Sequence, residues 1–274
     1  MSPHSCPLRL DGASWHAGVA LEAPNPGRIY DFLLGGSHNF AADRHVAHAA
    51  MAAIPDLPQQ AAANRAFLHR AVRYLVDTGI RQFLDLGSGI PTLGHVHEIA
   101  QQAAPDARVV YVDNDPIAVA HTNHLLAGNP AAVAIEADLR DPQAILDNPA
   151  VRAVLDLAQP VAVLLVAVLH FIPDADDPAG IIRDLTRAVR PGSHLVIAHG
   201  VNDIRPGDAA ILTRLWTGTS SPLSLRPGDQ IRTLLRGLNL VHPWVVWAPQ
   251  WRPDGTPPRR PRLSANLVGV GRVP

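Results

Sequence analysis

An acid, a short glycine loop and two further acids recur along this chain at intervals suited to capturing a nucleoside cofactor. In FLDLGSGIPT, Asp85 closes an apolar run and is followed by Gly87, Ser88 and Gly89, with Pro91 and Thr92 expected to open a helix. Glycines at both positions let the backbone turn sharply and approach a ligand, and proline suits a first helical turn. The next apolar run ends in YVDND, which places Asp113 and Asn114 where an acidic residue grips a ribose diol. A third run ends in EADLRDP, where Asp138 can accept from an adenine amine and the Leu139 backbone N–H can address a ring nitrogen. Counting from Gly87, the last position of a G-x-G-x-x-G fingerprint is Thr92. That departure weakens a nicotinamide-dependent oxidoreductase reading.

Other side chains compete for roles. His170 follows the fourth apolar run, beside the place where such a cofactor would react, and serves either as a base or substrate ligand or as a packing group. Ahead of the first strand, NPGRIYDFLLGGSHNFAADR concentrates polar groups around Gly35 and Gly36, more densely than an ordinary leading tail requires. Arg28 and Arg65 suit either a cofactor carboxylate or surface ion pairs. His95 and His97 in HVHEIA stand two apart on an expected helix and so point to different faces, and H-E-x-x-H is absent, so no metal is expected. Trp244 and Trp247 are expected to pack within or beside an edge hairpin, and PPRRPR to form a solvated loop.

These residues need a scaffold that brings strand ends together. From RQFLDLG to SHLVIAHG, β-rich apolar runs alternate with amphipathic runs, the mark of a parallel sheet wrapped by helices. In an open sheet of this kind the carboxyl ends of the strands, here Asp85, Asp113 and Asp138, converge on one crevice. LVHPWVVWAP and SANLVGVGRV follow one another without an intervening helix, implying an antiparallel hairpin at one edge. NRAFLHRAVRYLVDTGI spaces apolar residues as a helix that ends near Gly79, and short helices are expected on either side of Gly35–Gly36.

The chain has 274 residues, 47% of them hydrophobic, enough for one large α/β domain. A formal net charge of −1 leaves no basic face able to track a phosphate backbone, so nucleic acid is not an expected partner. The one cysteine, Cys6, excludes a disulfide framework and fits a reducing cytoplasm. No signal peptide is apparent, and VAVLLVAVL is far shorter than the ~20 residues of a membrane helix, so no membrane partner is expected.

An acid and glycine loop followed by acid-ended second and third strands resembles the class I S-adenosylmethionine-dependent methyltransferases. PNPGRIYDFLLGGSHNFAADR, NRAFLHRAVRYLVDTGIRQFLDLGSGIPT, RVVYVDNDP, ADLRDP, VAVLLVAVLHFIPD and GSHLVIAH together look like one actinobacterial S-adenosyl methyltransferase family, long catalogued as a domain of unknown function. The likeness runs from about Pro24 to the C-terminus. It implies a Rossmann-like α/β fold with about seven mostly parallel strands, an antiparallel edge hairpin and an N-terminal helical lid. The expected division is a flexible terminus over 1–23, the lid over 24–78 and the cofactor-binding domain over 79–274. S-adenosylmethionine is the implied cofactor and S-adenosylhomocysteine the product. Tyr30, Asp31, His38 and Asn39 are the expected lid residues over the sulfonium end, with Gly35 and Gly36 as a hinge or close-approach point. Pro91 stands where many class I members have a third glycine, which bears on the loop's local geometry. The fourth strand leads into AVLHFIPD rather than a D/N-P-P-Y/F-like motif, which favours a small-molecule acceptor over a nucleobase amine. A non-catalytic, cofactor-binding regulatory protein is the alternative.

Overall fold

The computed structural model describes residues 23–90 and 94–274. The expected loose terminus with Cys6, and the expected helix-opening Pro91 and Thr92, lie outside the described residues.

Five apolar runs form parallel strands: β1 (Gln82–Leu86), β2 (Arg108–Asp113), β3 (Ala132–Glu136), β4 (Ala162–Val166) and β5 (His194–Gly200). Side chains alternate across a strand, so each run feeds two cores. Phe83, Val109, Tyr111, Leu164 and Val196 face one layer, while Leu84, Val110, Val112, Leu165 and Ile197 face the other. The first layer is closed by α3 (Leu57–Asp77) and α4 (Val96–Ala103), and the second by α6 (Pro142–Asp147), α7 (Pro149–Val154) and α8 (Pro178–Ala188). The apolar face of α3, from Phe67 to Val76, is thus part of the sheet's core.

Strand order is β3-β2-β1-β4-β5, continued by antiparallel β8 (Asn266–Arg272) and then β6 (Asn239–Leu240), with β7 (Val246–Trp247) also on β8. The order reverses between β1 and β4, which puts the ligand crevice at their carboxyl ends. The antiparallel edge is present, but the expected strand through LVHPWVVWAP is broken into β6 and β7. Trp244 lies in the break with a left-handed φ of 65° and is exposed, correcting the expectation that it packs in the edge. Trp247 does pack, against Leu267 and Ile231. The PPRRPR arginines are exposed, as expected for a loop.

Asx–Pro dipeptides set several helix starts. Asn25 before α1 (Pro26–Leu33), Asp115 before α5 (Pro116–Leu125), and Asp141, Asn148 and Asp177 before α6, α7 and α8 each accept a backbone N–H of the first turn. The described helix after the glycine loop begins at Val96. Gly94 has a φ of 77°, and His95 caps the helix while Glu98 returns a bond to the His95 N–H. His95 therefore lies outside the helix, and its ring stacks on that of His97 at 5.5 Å instead of pointing to a different face. Among the described residues no cluster of three or more ligating side chains forms a metal site.

Above the strand ends, α1 and α2 (Ala41–Ala53) pack with α9 (Pro206–Trp216) around a third apolar cluster that includes Ile29, Ala50, Ile54, Trp216 and Leu223. The last helix, α10 (Gly228–Leu234), covers the sheet near its antiparallel edge.

Candidate functional site

A cavity of about 520 Å³ lies over the carboxyl ends of β1, β2, β4 and β5. Of the expected site residues, Asp85, Gly87, Ser88, Gly89, Asp113, Asn114, Asp138, Leu139, His170 and Tyr30 line it.

The glycine loop fits because two backbones and one side chain meet there. Gly87 has a φ of 70°, and a Cβ on it would fall 2.2 Å from a methyl of Val168, the residue that leads from β4 toward His170. Any larger residue would be strained and would displace that segment. On the lid side, Gly27 of α1 sits against Gly89, so the first helical turn touches the loop directly.

Asp113 accepts from the Gly89 N–H at 2.7 Å with one oxygen and from the Asp115 N–H at 2.9 Å with the other. The acid of β2 thus ties down the loop of β1 and keeps lone pairs free for hydroxyl donors. Burial pushes its carboxyl up to about 6 against the pull of these N–H bonds. Asp85 is buried, and burial pushes it up to about 7, opposed by the Arg65 guanidinium and assisted by Asp113. Asp138 lies past the end of β3, where Arg140 bonds both its oxygens and holds its carboxyl low.

Tyr30 donates to the Ala61 carbonyl at 3.0 Å and accepts from Asn64 Nδ2 at 2.9 Å. Asn64 Oδ1 is buried in the cavity wall with no partner among the described residues, a ready acceptor for a ligand N–H. Beside it, Arg65 lines the cavity and donates to the Gly94 carbonyl. The site thus offers a carboxylate that can accept from a diol, an amide oxygen that can accept from an N–H and a guanidinium that can face a carboxylate.

The remaining lid residues stand elsewhere. The Asp31 carboxylate is fully buried and accepts from the His38 N–H and from Asn39 Nδ2. A Cβ on Gly36 would fall 1.9 Å from its Oδ1, so glycine there lets the turn close over the acid. Asp31 and Asn39 thus build the turn and do not line the cavity, while Gly35, Gly36 and His38 line a separate open cleft with His69 and His95. The physical cause is the demand of a buried carboxylate for local donors. Arg28 meets neither expected fate: it is buried, bonding Asp43 at 3.0 Å and Asp115 at 2.9 Å, and so anchors α1 to the start of α5.

His170 sits in a short 3₁₀ turn, Leu169–Phe171, reached through Ala167 with a left-handed φ of 60°. Its Nδ1 accepts from the Gly200 N–H at 3.3 Å, and burial, with His199 and Arg226 nearby, holds its basicity well below that of a free imidazole. Arg226, buried, clamps this turn by donating to the Leu169 and Ile172 carbonyls, to Asp174 and to His199 Nε2. Sequence reasoning missed Asn64 and Arg226, and it missed the apolar wall of Phe171, Leu212, Trp216, Leu223 and Leu225. A signal for Arg226 existed in the isolated cation of SPLSLRPGD, but its partners are distant in sequence.

Comparison with known proteins agrees with this geometry. A family model described as S-adenosyl methyltransferase matches residues 14–274. A candidate methyltransferase from Thermobifida fusca YX is 38% identical, with 94% of this chain and 97% of that one covered and a TM-score of 0.88. A DUF574 family protein from Streptomyces avermitilis MA-4680 is also 38% identical, covering 93% of this chain and 99% of that one at a TM-score of 0.87. An O-methyltransferase family protein from Burkholderia thailandensis, at 18% identity, 80% and 60% coverage and a TM-score of 0.52, shares the fold. Among curated proteins none matches. With the strand-end acids, the glycine loop and the whole cavity inside the matched span, the chain belongs to the S-adenosyl methyltransferase family and is an S-adenosylmethionine-dependent methyltransferase of the class I fold.

Proposed function

We propose that the protein methylates a small-molecule acceptor bound in the part of the cavity beyond the strand ends, under α1 and α9. The observation that carries this reading is the continuity of the cavity: the same space runs from Asp85 and Asp113 to Leu212, Trp216 and Leu223. A purely cofactor-binding regulator would need no such chamber, so its extent favours turnover.

S-adenosylmethionine supplies an activated methyl group on a sulfonium, and the protein's task is then alignment and exclusion of water. In this reading Asp113 takes the ribose hydroxyls, with Gly87, Ser88, Gly89 and Asn114 shaping the contact. Leu139 and Asp138 border the base, with Arg140 already bonded to the Asp138 carboxylate. Asn64 and Arg65 receive the amino-acid end, and Asp85 sets the potential beneath it. Tyr30 closes the lid side of the pocket, while Asp31, Gly35, Gly36, His38 and Asn39 keep the turn after α1 in shape. His170 faces the acceptor.

Methyl-labelled cofactor incubated with the purified protein and fractionated cell extract tests this. Label should enter the small-metabolite fraction. Its appearance in protein or nucleic acid, with none in small metabolites, would overturn the proposal.

A further inference from the structure

The charged side chains that line the cavity are confined to one half of it. Arg65, Asp85 and Asp113 surround the glycine loop, while Asp138, Arg140 and Asp176 are joined by ion pairs, Arg140 standing 3.6 Å from Asp176. The other half is walled by Leu33, Phe171, Leu212, Trp216, Leu223 and Leu225, which belong to the third apolar cluster and not to the cores of the sheet. None of these wall residues carries a charge, so a charged ligand packed against them would lose hydration without a counter-charge from the wall itself.

His170 is a polar group of this cavity, as are Ser221, Ser224 and Trp216 Nε1, which has no partner among the described residues, and the hydrogen bonds of His170 define which proton it carries. The Gly200 N–H can only donate, so Nδ1 is the accepting nitrogen and, in the neutral ring, Nε2 bears the hydrogen. The neighbouring His199 is fixed in the opposite sense. Its Nδ1 faces the Gly200 carbonyl at 2.7 Å and therefore donates, while its Nε2 accepts from Arg226 at 3.0 Å. Arg226, a cation buried behind both rings, opposes a further positive charge on either.

We infer that this half of the cavity takes an uncharged, ring-sized acceptor molecule that offers a hydrogen-bond-accepting oxygen to the Nε2–H of His170, which acts as a substrate-orienting donor and not as a general base. Phe171 and Trp216 supply flat apolar contacts, and the donor fixes which edge of the ring turns toward the cofactor half. The inference rests on the small-molecule reading above. It also requires that the acceptor's own reacting atom be nucleophilic without deprotonation by His170.

The test uses the full-length protein, with and without saturating S-adenosylhomocysteine, titrated with 2-acetylnaphthalene, 2-naphthoate and 2-(aminomethyl)naphthalene as neutral, anionic and cationic probes of one size. The ketone should bind at least tenfold more tightly than either charged probe. His170→Phe should weaken the ketone by about two- to tenfold, the span of one ordinary hydrogen bond, while S-adenosylhomocysteine affinity is retained. Nitrogen-15 shifts of the wild-type His170 ring should report the Nε2–H tautomer at pH 7, a readout that remains if the variant fails to fold. A tighter charged probe, no ketone binding, or an Nδ1–H tautomer would overturn the inference. Failure to bind S-adenosylhomocysteine, with the ketone still bound, would instead strike the methyltransferase reading and leave only the chamber's preference for an uncharged ring.

Discussion

The buried Asp85 couples the cofactor crevice to the stability of the fold, and the coupling can be measured through pH. The residue is 7% exposed, and burial raises its carboxyl from 3.8 to about 7. The folded protein therefore holds this proton more tightly than the unfolded chain. The sign follows: the stabilisation is fully present below pH 4 and is lost as pH rises through about 7. A displacement of roughly three pH units corresponds to about 4 kcal/mol of stability given up between the acid and alkaline limits. Asp113, raised to about 6, and buried histidines held low, such as His194 and His199 at about 4, also titrate across this range, so the difference between wild type and an Asp85 variant is what isolates Asp85. Urea unfolding of the cofactor-free protein and of Asp85→Asn, repeated at several pH values, supplies the assay. The variant should gain on the wild type from pH 5 to about 7, by roughly 1 kcal/mol per pH unit over the steepest part, and level off above pH 7. A wild-type–variant difference that stays constant over that interval would refute the argument from burial.

Three further outcomes follow from the site. Asp113→Ala removes the proposed ribose acceptor and the tether on Gly89, and S-adenosylhomocysteine affinity measured by calorimetry should fall roughly 10- to 150-fold, the span for one hydrogen bond to a charged group. Gly87→Ala forces a side chain into a left-handed backbone and against Val168, and thermal unfolding should show a loss above the about 1–2 kcal/mol of the backbone strain alone, partly recovered by adding Val168→Ala. Arg28→Met leaves Asp43 and Asp115 buried without their cation and should cost about 3–5 kcal/mol in denaturant unfolding.

What the sequence disclosed, and what it hid, divides along physical lines. Alternating apolar runs ending in Asp85, Asp113 and Asp138 revealed the sheet and its crevice, because strand-end acids and a glycine loop are local in sequence and constrained by backbone geometry. The turn at Gly35–Gly36 was legible as unusual, yet not its purpose. Polar density around Asp31 looks the same whether the carboxylate faces a ligand or its own backbone, and only the folded turn shows that it faces inward. The start of α4 at Val96 was not legible, because His95 is not among the residue types that favour an N-cap. The apolar wall was invisible for another reason. Leu33, Phe171, Trp216 and Leu223 come from four separate segments, and no short window of sequence carries their meeting. Arg226 was hidden likewise, since its carbonyl partners at Leu169 and Ile172 lie more than fifty residues upstream.

The cofactor assignment is tested most directly by calorimetric titration of the purified protein with S-adenosylmethionine, S-adenosylhomocysteine and NAD. Binding of the first two at micromolar or tighter affinity, with no heat from NAD, is the expected result; binding of NAD with no response to either S-adenosyl compound would contradict it.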